Sequence, residues 1–326
     1  MKKLGKNFVQ VVKLLSDGEF HDGTSIGDRL GITRTAVWKV IKRLESYHVP
    51  IQSVKGKGYA LKAPLTLLNK AQINKHLTHK IIIDLFEQVD STNEYLKDFC
   101  SGNKIRACLS EYQTHGRARM QRQWHSPFGQ NIYLSLLYPL QKDISELNGL
   151  SLVIALSACK AIEQSSTSPL DLKVKWPNDI VYNKQKLGGS LVEIQAESYG
   201  FCYLIIGIGL NINMQQATKQ SINQAWTSLL AQTGKHQDRN PICAALINQL
   251  LADIELFMSM GLKPFLNQWT QRDTLFGQNI QVKVGDKVFK GKAQGINEHG
   301  QLLLKISSNK IITLASGDTT ILKNSK

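Results

Sequence analysis

The chain has 326 residues, 42% of them hydrophobic, and a net charge of +15. That length suggests two or three domains with full cores, and the charge points to polyanionic partners. No apolar run approaches the ~18 residues of a membrane helix, the amino terminus lacks a secretory apolar core, and five scattered cysteines without metal-type pairs suit a reducing cytoplasm.

Residues 1–64 hold twelve Lys/Arg against five Asp/Glu, a net of +7 and about half of the total excess. Leu4, Phe8, Val11, Val12 and Leu15 recur at helical spacing. After Asp17-Gly18, Thr24 or Ser25 is expected to cap a second short helix bearing Ile26 and Leu30. Gly31-Ile32-Thr33 then forms a turn, with Thr33 as N-cap of a helix over residues 34–47. Ala36, Val37, Val40, Ile41 and Leu44 make its apolar stripe. Arg34, Thr35, Trp38, Lys39 and Lys42 fall outside or at the edge of that stripe. Short helix, glycine turn and basic amphipathic helix spell a helix-turn-helix. Residues 51–61 read as a hairpin tipped by Lys55-Gly56-Lys57, a wing. Such a domain puts its second helix in the major groove and its wing lysines on phosphate. An ordinary helical hairpin, with Trp38 as core-edge packing, is the plainer alternative. Pro64 and residues 65–69 read as a short linker.

The central part opens with a strand over residues 81–86. Asp90 or Ser91 then caps a helix, with Glu94 as capping-box partner of Ser91; such a helix start suits a polar ligand. A strand over 105–109 leads into residues 111–124, where Arg117, Arg119 and Arg122 follow Gly116 and precede Trp124. Arginine offers a rigid fork of donors for carboxylate or phosphate, and glycine lets backbone approach a ligand. A solvated basic loop is the plainer alternative. A strand over 131–138 follows, so the loop joins two strands, a common place for function. Residues 147–162 read as a long buried helix. Lys175-Trp176-Pro177-Asn178-Asp179 brings an amide and a carboxylate to a proline turn. Lys186 precedes a strand whose Gly188 and Gly189 leave room for a ligand. A strand over 201–208 runs into Gly207-Ile208-Gly209-Leu210-Asn211. These form a strand-end set of Arg, Lys, Asn, Asp and Gly without a nucleophile–base triad. Trp269 and Phe276 are expected to close this domain. Beyond residue 277, short alternating segments with glycine turns read as a small five-stranded barrel.

Five segments carry a resemblance in their order: Asp90-Ser91-Thr92-Asn93, Gly116-Arg117-Ala118-Arg119, Lys175-Trp176-Pro177-Asn178-Asp179, Lys186-Leu187-Gly188-Gly189 and Gly209-Leu210-Asn211-Ile212-Asn213. Together they resemble the biotin protein ligases. The winged helix makes the chain similar to the bifunctional bacterial form, the BirA-type ligase and biotin-operon repressor. The resemblance implies an α+β chain: a winged helix-turn-helix over 1–64, a class II synthetase-like mixed-sheet catalytic domain over 65–273, and an SH3-like barrel over 274–326. It also implies formation of biotinyl-5′-AMP from biotin and ATP, then transfer of biotin to a lysine of the biotin carboxyl carrier protein of acetyl-CoA carboxylase. Repression of biotin synthesis would follow from a ligand-promoted homodimer on operator DNA, in the cytoplasm and away from membranes.

Roles are carried over by position. Arg117, Lys186 and Asp179 would be catalytic. Biotin would meet Ser91, Thr92, Asn93, Gln113, Gly116, Arg117, Arg119, Lys186, Gly189 and Gly207. ATP would meet Arg119, Arg122, Trp124, Asn178, Asn211 and Lys283, with Lys323 nearby and Mg²⁺ on Asp179. DNA would meet Arg34, Thr35, Trp38, Lys39, Lys42, Lys55 and Lys57. A carboxylate attacking an α-phosphate brings two anions together, and fixed cations must offset that. The adenylate itself carries the activation, so no nucleophilic side chain is needed. The alternatives are a ligand-sensing DNA-binding regulator without ligase activity, and a lipoate ligase, which shares the central fold. The winged helix and Lys175–Asp179 argue against the latter. The family pattern Gly-Arg-Gly-Arg-Arg-Gly-Arg is broken at Ala118, Met120 and Gln121. Losing two glycines predicts a less permissive loop, because positive φ becomes costly, and Met120 weakens any dimer role of that position.

Overall fold

The computed structural model describes residues 4–140, 143–166, 169–196, 202–215, 222 and 224–322. Lys323, and Phe201 at the start of an expected strand, lie outside them. Three helices open the chain: α1 (Lys6–Leu15), α2 (Gly23–Leu30) and α3 (Arg34–Ser46). Thr33 caps α3 by accepting from the Ala36 N–H, as expected. The cap of α2 is Asp22, not Thr24 or Ser25. Standing two residues before Thr24 in extended backbone, its carboxylate accepts from both of their N–H groups. The wing is the antiparallel pair β1 (Ile51–Val54) and β2 (Gly58–Leu61). Trp38 is 51% exposed on the outer face of α3, so it is not core packing.

Residues 65–69 are not a free linker. Leu65 and Leu68 are buried, and Asn69 caps the short helix α4 (Lys70–Lys75). The Leu68 N–H donates to Glu111, whose other oxygen pairs with the fully buried Arg239 at 2.7 Å.

The central sheet uses β3 (Ile82–Phe86), β4 (Arg106–Ser110), β5 (Ile132–Leu140), β6 (Lys173–Lys175), β7 (Asp179–Tyr182), β8 (Gln185–Ala196) and β9 (Cys202–Leu210). Helix α5 (Thr92–Lys97) lies between β3 and β4, and α6 (Leu150–Ser165) between β5 and β6. The strand order is β3-β4-β5-β9-β8-β7-β6, parallel only between β3 and β4. After β9 come α7 (Leu229–Thr233), α8 (Arg239–Met260) and α9 (Leu266–Arg272).

Period-two alternation gives the sheet two unlike faces. On β9, Leu204, Ile206, Ile208 and Leu210 join the large core beneath α6 and α8. Tyr203 and Ile205 join a smaller cluster with Leu96 of α5, and Gly207 and Gly209 continue that second face without side chains. One face is therefore core, and the other carries an open cleft beside α5.

Helix α8 had no counterpart in the sequence reading. It is long and apolar enough by composition to cross a membrane, contrary to the absence expected above. Leu246, Ile247, Leu250 and Ile254 are buried in the core, while Arg239 and Asp253 pair with Glu111 and Lys160. Apolar residues nearly all round hid its periodicity.

The carboxy-terminal sheet has β10 (Asn279–Val284), β11 (Lys287–Ile296), β12 (Leu302–Ser307), β13 (Lys310–Leu314) and β14 (Asp318–Ile321), ordered β13-β12-β11-β10-β14 and antiparallel throughout. β11 carries a bulge between Ala293 and Ile296 where it pairs with β12. Trp269 closes the central core, but Phe276 is 56% exposed and does not.

Candidate active site

A cleft of about 1800 Å³ lies on the glycine face of the central sheet, between α5, the 111–126 loop, the β6–β7 turn and β14. Strand register explains its floor. Lys175, Asp179, Gly189 and Gly209 stand directly opposite one another across β6, β7, β8 and β9. The next row holds Leu191, Gly207 and Ser135. A side chain at 207 would collide with Asn93, and one at 209 with the Trp124 indole, so both positions need glycine for close approach.

Every residue expected at biotin or ATP lines this cleft except Gly116. Gly116 sits behind the wall, where a Cβ would come within 2.6 Å of the Trp124 carbonyl oxygen. The expected capping box is absent: Ser91 is the N-cap of α5 but makes no side-chain cap bond. Glu94 faces Arg117 and Lys97 instead, at 2.9 and 2.8 Å. The cations there outcompete a neutral backbone donor for the carboxylate.

Arg117 also donates to Glu193 of β8. Arg119 donates to Asn178, and burial lowers its pKa. Arg122 pairs with Asp318 of the carboxy-terminal sheet. Asp179 and Lys186 form an ion pair at 2.6 Å, and the Lys186 ammonium lies 5.5 Å from the Trp124 ring centroid. Asn178 donates to the Ser190 carbonyl. The Asn211 side chain is tied to Asn131 and to the Thr227 carbonyl, so its position is fixed. Lys283 reaches the rim from β10, beside Asp318 in register.

The loop itself is a narrow hairpin. Ala118 and Arg122, and Gly116 and Trp124, are joined by backbone bonds of 2.8 Å. At its tip Arg122 bonds back to the Arg119 carbonyl, while Met120 and Gln121 adopt φ of 57° and 56°. Two consecutive positive φ values mark a type I′ turn, which favours Asn-Gly. The glycine argument therefore needs correcting at one position. Ala118 has φ −133° and needs no glycine. Strain is confined to Met120 and Gln121.

Several cleft residues, Lys175 of the ordered segments among them, were given no role from the sequence. Lys175 lies opposite Asp179 and donates to the Thr319 carbonyl at 2.6 Å. Burial pulls its pKa down, and the Asp179 carboxylate opposes that. The tight turn at Pro177-Asn178 was the available signal, because it forces 175 and 179 into register. Glu193 and Ser135 were also missed, although alternation places them on the ligand face with Leu191 and Leu137 respectively. Asp318 had no local signal.

None of the residues expected at DNA lines this cleft; they are exposed on α3 and the wing. Lys42 is paired with Glu45 at 2.8 Å. The winged helix nevertheless meets the base of the loop. Phe128 is buried among Phe8, Val11 and Leu44, Tyr47 packs on Tyr112 with ring centroids 4.5 Å apart, and Gln130 donates to the His48 carbonyl.

A helix-turn-helix joined to a mixed-sheet domain with a cationic, glycine-floored cleft defines a class of DNA-binding ligases, and comparisons agree. The HTH domain family matches residues 9–60, the Biotin/lipoate A/B protein ligase family 85–211, and the Biotin protein ligase C terminal domain 275–319. The bifunctional ligase/repressor BirA of Escherichia coli strain K12 is 38% identical over 298 residues, covering 91% of this chain and 92% of that one. Its Bacillus subtilis strain 168 counterpart is 32% identical over 297 residues, covering 88% and 90%. The structure of biotin protein ligase from Aquifex aeolicus in complex with biotin and ATP superposes with a TM-score of 0.63 at 28% identity, covering 74% of this chain and 99% of that one. The chain belongs to the BirA family of bifunctional ligase/repressors.

Proposed function

We propose that the chain joins biotin to ATP, forming biotinyl-5′-AMP and pyrophosphate, and then passes biotin to a lysine amine of a biotin carboxyl carrier protein, releasing AMP. The observation that carries this reading is the convergence of Arg117, Arg119, Lys186, Asp179 and Asn178 around one glycine-floored cleft. In the first step the biotin carboxylate attacks the α-phosphate. Lys186 and Arg117 offset the charge that develops as the two anions approach. Arg119 and Asn178 orient the nucleotide, Arg122 and Lys283 meet the triphosphate, and Trp124 offers adenine a face.

The polar wall of Ser91, Thr92, Asn93 and Gln113 reads the ureido ring. Among the described residues no three His, Cys, Asp or Glu side chains cluster to hold a metal. Mg²⁺ would arrive on the triphosphate, with Asp179 as a single protein oxygen, to screen the phosphate charge. In the second step the acceptor amine displaces AMP without any enzyme nucleophile.

The functional division is 1–64 for DNA, 65–273 for catalysis and 274–326 as a cover over the nucleotide. Exposed Arg34, Thr35, Trp38, Lys39 and Lys42 on α3 would read the major groove, and Lys55 and Lys57 would hold phosphate. The working form is a cytoplasmic, ligand-promoted homodimer on a palindromic biotin-synthesis operator.

The deciding assay is biotin- and ATP-dependent transfer of label to a carrier domain. Biotin binding without transfer would leave a ligand-sensing regulator. For DNA, operator affinity should rise with the adenylate and fall steeply with salt; an affinity indifferent to both would sink that half.

A further inference from the structure

A chain of hydrogen bonds runs beneath the biotin wall and ends on an acid outside the family motifs. Glu193 Oε2 accepts from Asn93 Nδ2 at 2.8 Å and from Arg117 at 3.1 Å, and Oε1 faces Arg117 and Lys97 at 2.9 and 3.6 Å. Ser135 Oγ lies 2.6 Å from Asn93 Oδ1 and 2.7 Å from Thr92 Oγ1. Gln113 Oε1 accepts from the Thr92 N–H at 2.9 Å and lies 3.2 Å from Thr92 Oγ1. Gln113 Nε2 donates to Ser126, which donates to the Trp124 carbonyl.

Counting protons gives this chain one direction. A carboxylate only accepts, so Asn93 must turn its amide NH₂ toward Glu193 and its carbonyl toward Ser135. Ser135 has one proton and must give it to that carbonyl. Its contact with Thr92 then requires Thr92 to donate. Thr92 Oγ1 shares its one proton between Ser135 Oγ at 2.7 Å and Gln113 Oε1 at 3.2 Å, accepts from neither, and so keeps its lone pairs for a ligand N–H.

We propose that Glu193 is a positioning residue. Acting through Asn93 and Ser135, it sets Thr92 as an acceptor for the ureido N–H groups, while its second oxygen holds Arg117 at the mouth of the cleft. This inference rests on the reading of the wall as the biotin site.

The near-isosteric Glu193→Gln change tests it. Lys97 and the shorter Arg117 contact both lie on Oε1 and only donate, so the new amide oxygen takes that side and its NH₂ faces Asn93. Asn93 must then flip, Ser135 must accept from it and donate to Thr92, and one Thr92 lone pair is lost to the ligand. In biotin-dependent exchange of pyrophosphate into ATP, the KM for biotin should rise roughly tenfold, the worth of about one hydrogen bond, with kcat changed less than about threefold. Ser135→Ala cuts the chain, so adding Glu193→Gln to it should raise KM no further. A fall in kcat at unchanged KM, an unchanged enzyme, or multiplicative effects in the double variant would each overturn the proposal. A wild-type protein without exchange would instead sink the ligase reading.

Discussion

At the amino-terminal junction, Phe128 of the central domain is buried in the winged-helix core, edge-on to Phe8 at 5.1 Å, with Leu65 beneath Gly129. At the carboxy-terminal junction Leu275, Ile280, Val282, Leu302 and Leu304 join the central core cluster, and polar bonds are added to that apolar contact. Trp176 Nε1 donates to the Gly300 carbonyl, Lys175 Nζ to the Thr319 carbonyl, and Arg122 pairs with Asp318 at the rim. Buried apolar contact is lost only when a domain leaves wholesale, whereas rim polar bonds exchange with water at little net cost. Both flanking domains are therefore fastened through buried apolar contact, and at the carboxy-terminal side it is the exposed Arg122–Asp318 pair that can exchange with water.

The sharpest way to break this contrast is Phe128→Ala. Truncating a fully buried phenylalanine should cost about 3–5 kcal/mol. Denaturant unfolding should then show the winged helix melting ahead of the ligase domain; a single shifted transition of normal size would refute the shared core. Next is Gln121→Gly. Relief of a positive φ, less the entropy that glycine adds to the unfolded chain, should stabilise by roughly 0.5–1 kcal/mol. It should also change the rate of adenylate release, whereas Ala118→Gly should do neither. Equal effects at both positions would contradict the type I′ turn.

Acid should weaken the amino-terminal junction. Burial and the neighbouring His48 ring, 5.7 Å away, hold His125 below its ordinary 6.5. Its folded pKa lies below the unfolded one, so the unfolded chain takes up the proton first as pH falls. That stability is complete above pH 6.5 and is lost as pH falls from there toward the folded value. Melting followed from about pH 7.5 to about pH 5.5 should drop less steeply in His125→Gln. The smallest expected change in stability is from Asp318→Ala. Arg122 is 67% exposed on its side of the pair, so stability should move by less than about 1 kcal/mol. The KM for ATP should change nonetheless, because Arg122 is freed; a large loss of stability would show the pair to be structural.

Much of this was legible because its causes are local. Helical spacing and the Thr33 cap located the winged helix, and period-two alternation found the strands that floor the cleft. The five ordered segments brought most of the expected ligand residues together on paper. Elements without a clear local pattern were invisible: α8, apolar nearly all round, and α4, left unassigned although Asn69, at the end of the expected linker, caps it.

Sequence alone settled the chemistry available: which cations, carboxylate, amides and glycines exist, and in what order along the chain. Tertiary structure decided their pairing. Register set Lys175 opposite Asp179, alternation turned Glu193 toward Asn93 and Arg117, and packing drew Glu94 off its expected cap. The physical reason is range. Backbone propensity and capping act over a few residues, whereas a charge chooses its partner by distance in space, which only the folded sheet and its neighbours determine.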